Sequence, residues 1–203
     1  MNEEQSAYLT PLVTTLMGDA PEGDHWPDDG YTMIGIKRLD NIQQLYENVS
    51  ENNIPGDLVE CGVWKGGACI FMRALLKAYD DNTRRVWVVD SFQGCPPPNA
   101  EKYPHDDGDP HSGLDKLKIT QATVSDNFNK FGLLDDRVVF LEGWFKDTLP
   151  DTLLEQISIL RMDGDLYEST MDCLTNLYHK VSSGGFVIVD DYGLGPCKQA
   201  VTD

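Results

Sequence analysis

A mostly parallel α/β sheet with helices on both faces is the fold this chain predicts, and three observations predict it. From residue 57 onward, short apolar, β-branched runs alternate with longer amphipathic stretches, the βαβα order of a parallel sheet. The runs are apolar throughout, as strands buried on both faces are. Two of them, 157–162 and 186–189, break abruptly into paired acids, Asp163-Gly164-Asp165 and Asp190-Asp191. In open α/β sheets ligands bind just beyond the carboxyl ends of the strands. Four aspartates there are costly to cluster unless something positive sits among them. A divalent cation with oxygen ligands meets that need; the plainer reading is a solvated acidic rim.

Ahead of the alternation, residues 3–17 place Tyr8, Leu9, Leu12, Val13 and Leu16 on one helical stripe. Residues 18–31 are loop by composition. Ile36, Leu39, Ile42, Leu45, Tyr46 and Val49 mark an amphipathic helix, closed by Pro55-Gly56. Residues 1–54 thus read as an N-terminal helical segment, and 55–203 as the core of a single domain. A strand over 57–63 leads through Lys65-Gly66-Gly67 into a helix over 67–79, and a strand over 85–89 ends at Asp90. Residues 93–113 contain Pro96-Pro97-Pro98 and a stretch of His, Asp and Gly, with no apolar period to anchor them. A loop that long is functional, such as a lid mobile without substrate, or disordered. A helix over 115–131, a strand over 137–142, a helix over 168–181 and a strand entered through Gly184-Gly185 complete the pattern. The chain stops at Asp203, 12 residues past Asp191. Doubly wound sheets often run further, so C-terminal strands are expected to be missing.

Composition narrows the function. The 203 residues suffice for one domain with a real core. Lys and Arg number 16 against 34 Asp and Glu, a formal charge of -18, which argues against a broad basic face for nucleic acid. Five cysteines, an odd count without a Cys-x-x-Cys pair, disfavour zinc-ribbon and disulfide frameworks and fit a reducing, cytoplasmic setting. The acidic N-terminus lacks signal-peptide features, and no apolar stretch reaches the length of a membrane span.

The strand-to-helix connections carry the remaining signals. Glu60-Cys61-Gly62-Val63-Trp64-Lys65-Gly66-Gly67 would let a ligand approach the backbone, yet it is neither a Gly-x-Gly-x-x-Gly fingerprint nor a P-loop. Asp90, at a strand end, suits ribose hydroxyls or an ordinary helix cap. Gly143 beside Trp144 and Phe145 suits a flat adenine ring or plain core cover. His105 and His111 lack metal-ligand spacing and read as part of a solvated mobile loop. Lys37 and Arg38 read as helix-surface charges.

Taken together, six pieces resemble the macrocin O-methyltransferase (TylF/MycF) family from about residue 31 onward. They are residues 31–41 (YTMIGIKRLDN), 60–67 (ECGVWKGG), 89–94 (VDSFQG), 141–150 (LEGWFKDTLP), 161–167 (RMDGDLY) and 189–192 (VDDY). The resemblance implies a Rossmann-like class I methyltransferase fold, S-adenosylmethionine and a divalent cation, usually Mg2+. It implies a small-molecule acceptor, glycosylated or polyhydroxylated, and is compatible with a homo-oligomer. By position, Asp163, Asp190 and Asp191 would hold the metal and Asp165 would be the general base. Glu60 and Gly62 would face the methionine part of the cofactor, Asp90 with Ser91 the ribose, and Gly143 with Trp144 the adenine. Thr32 and Met33 would close over the cofactor. The alternatives are a nicotinamide-dependent oxidoreductase, disfavoured by the missing glycine fingerprint, and an inactive, truncated cofactor-binding or assembly module.

Overall fold

The computed structural model describes residues 1–203. Its sheet contains β1 (Asp57–Cys61), β2 (Val86–Asp90), β3 (Val138–Glu142), β4 (Ile157–Met162) and β5 (Val181–Val189). All pairings are parallel and the spatial order is β3-β2-β1-β4-β5. The order reverses at the β1/β4 boundary, the topological switch point where such sheets open a crevice.

Side chains alternate across the sheet and divide the core in two. Leu58, Val86 and Val88 face a 27-residue cluster that takes in α1 (Glu3–Met17), α2 (Gly35–Glu51), α3 (Gly67–Ala78) and α4 (Gln121–Lys130). Val59, Cys61, Trp87 and Val89 face an 11-residue cluster with Leu149, Leu154, Cys173 and Leu177. The larger cluster includes Leu9, Leu12, Leu16, Leu39 and Ile42, so the N-terminal helices are part of the main core. No helix is long and apolar enough to cross a membrane.

Several expectations shift. β1 ends at Cys61, not Val63, because Gly62 turns to φ +87°. The helix expected over 115–131 is a 3-10 turn at Asp115–Leu117 followed by α4. Thr120 accepts the Thr123 amide as an N-cap and sets the later start. The helix expected to run to residue 181 is α6 (Tyr167–Leu177), ending in a 3-10 turn at Tyr178–Lys180. β5 begins at Val181, with an irregular register before Phe186 that absorbs Gly184-Gly185. Two short helices were not foreseen, α5 (Phe145–Thr148) and α7 (Gly195–Thr202). The 93–113 segment is anchored after all, by a polar group: Asp106 is 1% exposed and accepts the amides of Tyr167 and Glu168 at 2.6 and 3.0 Å.

Candidate active site

A cavity of about 370 Å³ opens at the carboxyl ends of the strands, across the switch point. On the β1–β2 side its wall is shaped by backbone. A side chain at Gly62 would bring its Cβ to 1.8 Å from the Asp163 carbonyl oxygen, so only glycine lets β1 and β4 meet there. The Asp163 amide donates to the Cys61 carbonyl at 2.8 Å, locking the two ends together. Trp64, Phe92 and Asp165, just beyond β1, β2 and β4, all have positive φ (48°, 54° and 60°). Such strain in non-glycine residues gathers at functional sites. Asp90 accepts the Val63 and Phe92 amides, each at 2.7 Å, which fixes its carboxyl at the cavity wall. Burial pushes its pKa up, and these two donors oppose the shift.

On the β4–β5 side the wall is charge. Asp163, Asp190 and Asp191 bring carboxylate oxygens within 4.8 Å of one another. The positive group among them belongs to the protein. Arg161, 1% exposed, donates from Nη1 to Asp163 Oδ2 at 2.7 Å and to Glu60 Oε1. Its Nη2 lies 2.6 Å from Asp190 Oδ1, in ionic contact but off hydrogen-bond alignment. Arg38 donates to the other Asp190 oxygen at 2.5 Å, and its Nε is steadied by the Ile34 carbonyl at 2.7 Å. Two guanidiniums do not neutralise the group. Burial, then the charges of Asp163, Asp165 and Asp190, push Asp191 up to about 9. Burial and Asp163 likewise raise Asp190, with both arginines opposing. Hard oxygen donors, with Asp191 lacking any cationic partner, fit a divalent cation.

Asp165 shares the cavity. Its amide donates to Asp191 Oδ2 at 3.1 Å, and burial, then Asp163, raises its carboxyl pKa. Cys95 Sγ lies 3.4 Å from Asp165 Oδ2 and His111 Nε2 lies 3.9 Å from Oδ1.

Of the residues expected at the site, Met33, Gly62, Asp90, Ser91, Trp144, Asp163, Asp165, Asp190 and Asp191 line the cavity. Glu60, Thr32 and Gly143 do not. Glu60 stands opposite Arg161 in the β1/β4 register, so its carboxylate, 2% exposed, turns to that guanidinium and to Cys69 instead of a ligand. Burial pushes Glu60 up to about 7 even with Arg161 against it, while the guanidinium stays charged. Thr32 sits behind the wall, under Gly67, where an added Cβ would lie 2.6 Å from the Thr32 Cβ. Gly143, at φ +141°, packs on Thr148 and turns the chain toward Trp144.

Sequence reasoning missed Arg161 and misjudged Arg38 and His111. Arg38 is not a free surface charge, and His111 Nδ1 is held 2.9 Å from Asp109 Oδ1 at the cavity rim. An arginine inside an otherwise apolar strand was the available signal for Arg161, since buried charge needs a partner.

A model of the macrocin O-methyltransferase (TylF) family matches residues 14–203. The chain is 55% identical over 187 residues to demethyldecarbamoylnovobiocin O-methyltransferase of Streptomyces niveus, covering 90% of this chain and 70% of that one. It is 49% identical over 204 residues to mycinamicin III 3''-O-methyltransferase of Micromonospora griseorubida, covering 98% and 80%. The solved structure of the O-methyltransferase NovP matches with a TM-score of 0.93 at 49% identity, covering 98% of this chain and 89% of that one.

Proposed function

The chain belongs to the macrocin O-methyltransferase (TylF) family and is an S-adenosylmethionine-dependent O-methyltransferase, and we propose that its acceptor is a sugar hydroxyl on a glycosylated natural product, methylated with the help of a divalent cation. The nicotinamide-oxidoreductase alternative falls with the family match. One observation carries the proposal: three carboxylates meet within 4.8 Å, with Asp165 beside them, on the cavity that Asp90 also lines. The relatives' own names, which give demethyldecarbamoylnovobiocin and the 3'' position of mycinamicin III as acceptors, support the acceptor class.

Each residue has a definable task. Asp90, fixed by two backbone amides, keeps lone pairs for ribose hydroxyls. Trp144 offers a flat face to adenine, and Met33 covers the cofactor from the N-terminal side. Asp163, Asp190 and Asp191 would hold the cation, with Mg2+ favoured by an all-oxygen donor set. When bound, it would lower the pKa of a hydroxyl too weakly acidic to react unaided. Asp165 takes the hydroxyl proton; burial moves its pKa toward neutrality, where a general base works best. The cofactor's sulfonium provides the electrophile, leaving alignment and charge control to the protein.

The test is methyl transfer to demethyldecarbamoylnovobiocin and to mycinamicin III, followed by mass spectrometry. Chelation should stop turnover and Mg2+ should restore it. Asp165→Asn should keep metal and cofactor binding yet lose about 10²–10⁴-fold in rate. Undiminished turnover after chelation would falsify the metal assignment. Absence of a methylated product with either glycoside would count against the acceptor class.

A further inference from the structure

The turn that presents Asp165 is held from outside, by a residue with no place in the reaction as described so far. Asp165 sits at φ +60°, a conformation that a non-glycine residue keeps only when its surroundings enforce it. On one side the restraint is Asp191, whose Oδ2 accepts the Asp165 amide at 3.1 Å. On the other side the chain enters α6. The residue at its N-cap, Leu166, has no side-chain oxygen to offer the free amides of the first turn. Asp106, 60 residues earlier, supplies both. Its Oδ1 accepts the Tyr167 amide at 2.6 Å and its Oδ2 accepts the Glu168 amide at 3.0 Å. The same 93–113 segment also meets the Asp165 carboxylate through Cys95 and His111. The Asp106 amide in turn donates to the Tyr103 carbonyl, so the carboxylate has its own anchor.

We propose that Asp106 is a positioning residue for Asp165: a buried carboxylate that clamps the start of α6 and thereby fixes where the proton acceptor points. The proposal rests on the reading of Asp165 as that acceptor. Losing the clamp removes the side-chain acceptors at the start of α6 and leaves the strained turn to its remaining contacts with Asp191, Cys95 and His111. Misplacement of a reacting group by about 1 Å can cost about a hundredfold in rate.

The experiment compares Asp106→Ala, Asp106→Asn and Asp165→Asn in the full chain, with whichever relative's glycoside the wild type methylates. Asp106→Ala should lower kcat by about ten- to a hundredfold with KM and S-adenosylmethionine affinity nearly unchanged. Hydrogen exchange should quicken at the Tyr167 and Glu168 amides and stay slow across β1 and β4. Asp106→Asn keeps the shape and one acceptor oxygen, so it should recover most of the loss. Wild-type kcat in Asp106→Ala, with those amides deprotected, overturns the proposal. So does a loss confined to KM or to cofactor affinity. Should the alanine variant not fold, wild-type kcat in Asp106→Asn with faster exchange at both amides overturns it. A large loss in Asp165→Asn with none in Asp106→Ala sinks the clamp alone; a wild-type rate in Asp165→Asn sinks the proton-acceptor reading and the clamp with it.

Discussion

At the ends of β1 and β2 the cavity wall is main chain, whereas at the ends of β4 and β5 it is charge. The first half is built from Gly62, which no other residue can replace without striking Asp163, and from a carboxylate held by two amides. The second is built from Arg161 and Arg38 set against Asp163, Asp190 and Glu60. A cofactor whose shape never varies suits a wall of fixed backbone. On the proposed function, the charged half takes up a cation and a proton, a task for ionisable groups that two arginines leave short of neutral. The two halves should therefore fail differently.

The largest effect is expected at Arg161. Arg161→Met leaves Glu60, Asp163 and Asp190 without their shared cation, and breaking a buried pair from one side costs about 3–5 kcal/mol. Urea unfolding should show that loss, and replacing Glu60 as well by Met should return part of it. A loss under about 1 kcal/mol, the range of exposed pairs, would mean that charge does not hold this half together.

Next comes Asp90. Asp90→Ala should weaken S-adenosylmethionine binding by about 1.5–3 kcal/mol, the worth of charge-assisted hydrogen bonds, while leaving affinity for Mg2+ near the wild-type value. Calorimetry with each ligand reads both. Equal damage to both ligands would merge the two halves into one unit.

The smallest effect is expected at Asp172, on α6 at the edge of the charged half. Burial, then Glu168, raises its carboxyl from the ordinary 3.8 to about 6, and Lys102 and Lys146 oppose. A folded-state pKa above the unfolded one means that the folded chain holds the proton longer. Stability therefore falls as pH rises from about 4 to about 6 and stays lower beyond. Asp172→Asn should flatten that part of the Tm-against-pH curve and raise Tm slightly at pH 7. An unchanged slope would place the titration elsewhere.

The same contrast explains what could be read in advance. Strand ends are visible in a sequence because an apolar run stops, and the acids that follow β4 and β5 are visible because they are paired. That made Asp90, Asp163, Asp165, Asp190 and Asp191 legible, and all five line the cavity. Glu60 was legible as an acid beside a glycine turn but not as the partner of Arg161. That pairing follows from β1 lying next to β4, 101 residues apart, in a register with Glu60 opposite Arg161. Arg38 looked like solvent-facing charge because nothing local shows that its helix begins beside the end of β5.

Periodicity, punctuation and charge along the chain therefore determined the α/β class and the alternation of elements, and the resemblance of six motifs gave the family, since all of these depend on neighbours in sequence. Tertiary structure alone decided which cation sits among the aspartates, which expected residues stand behind the wall, and that Asp106 reaches the start of α6. Those facts depend on strand order, register and loop return. A one-residue change of register turns a side chain to the opposite face, and no local pattern records which strands become neighbours.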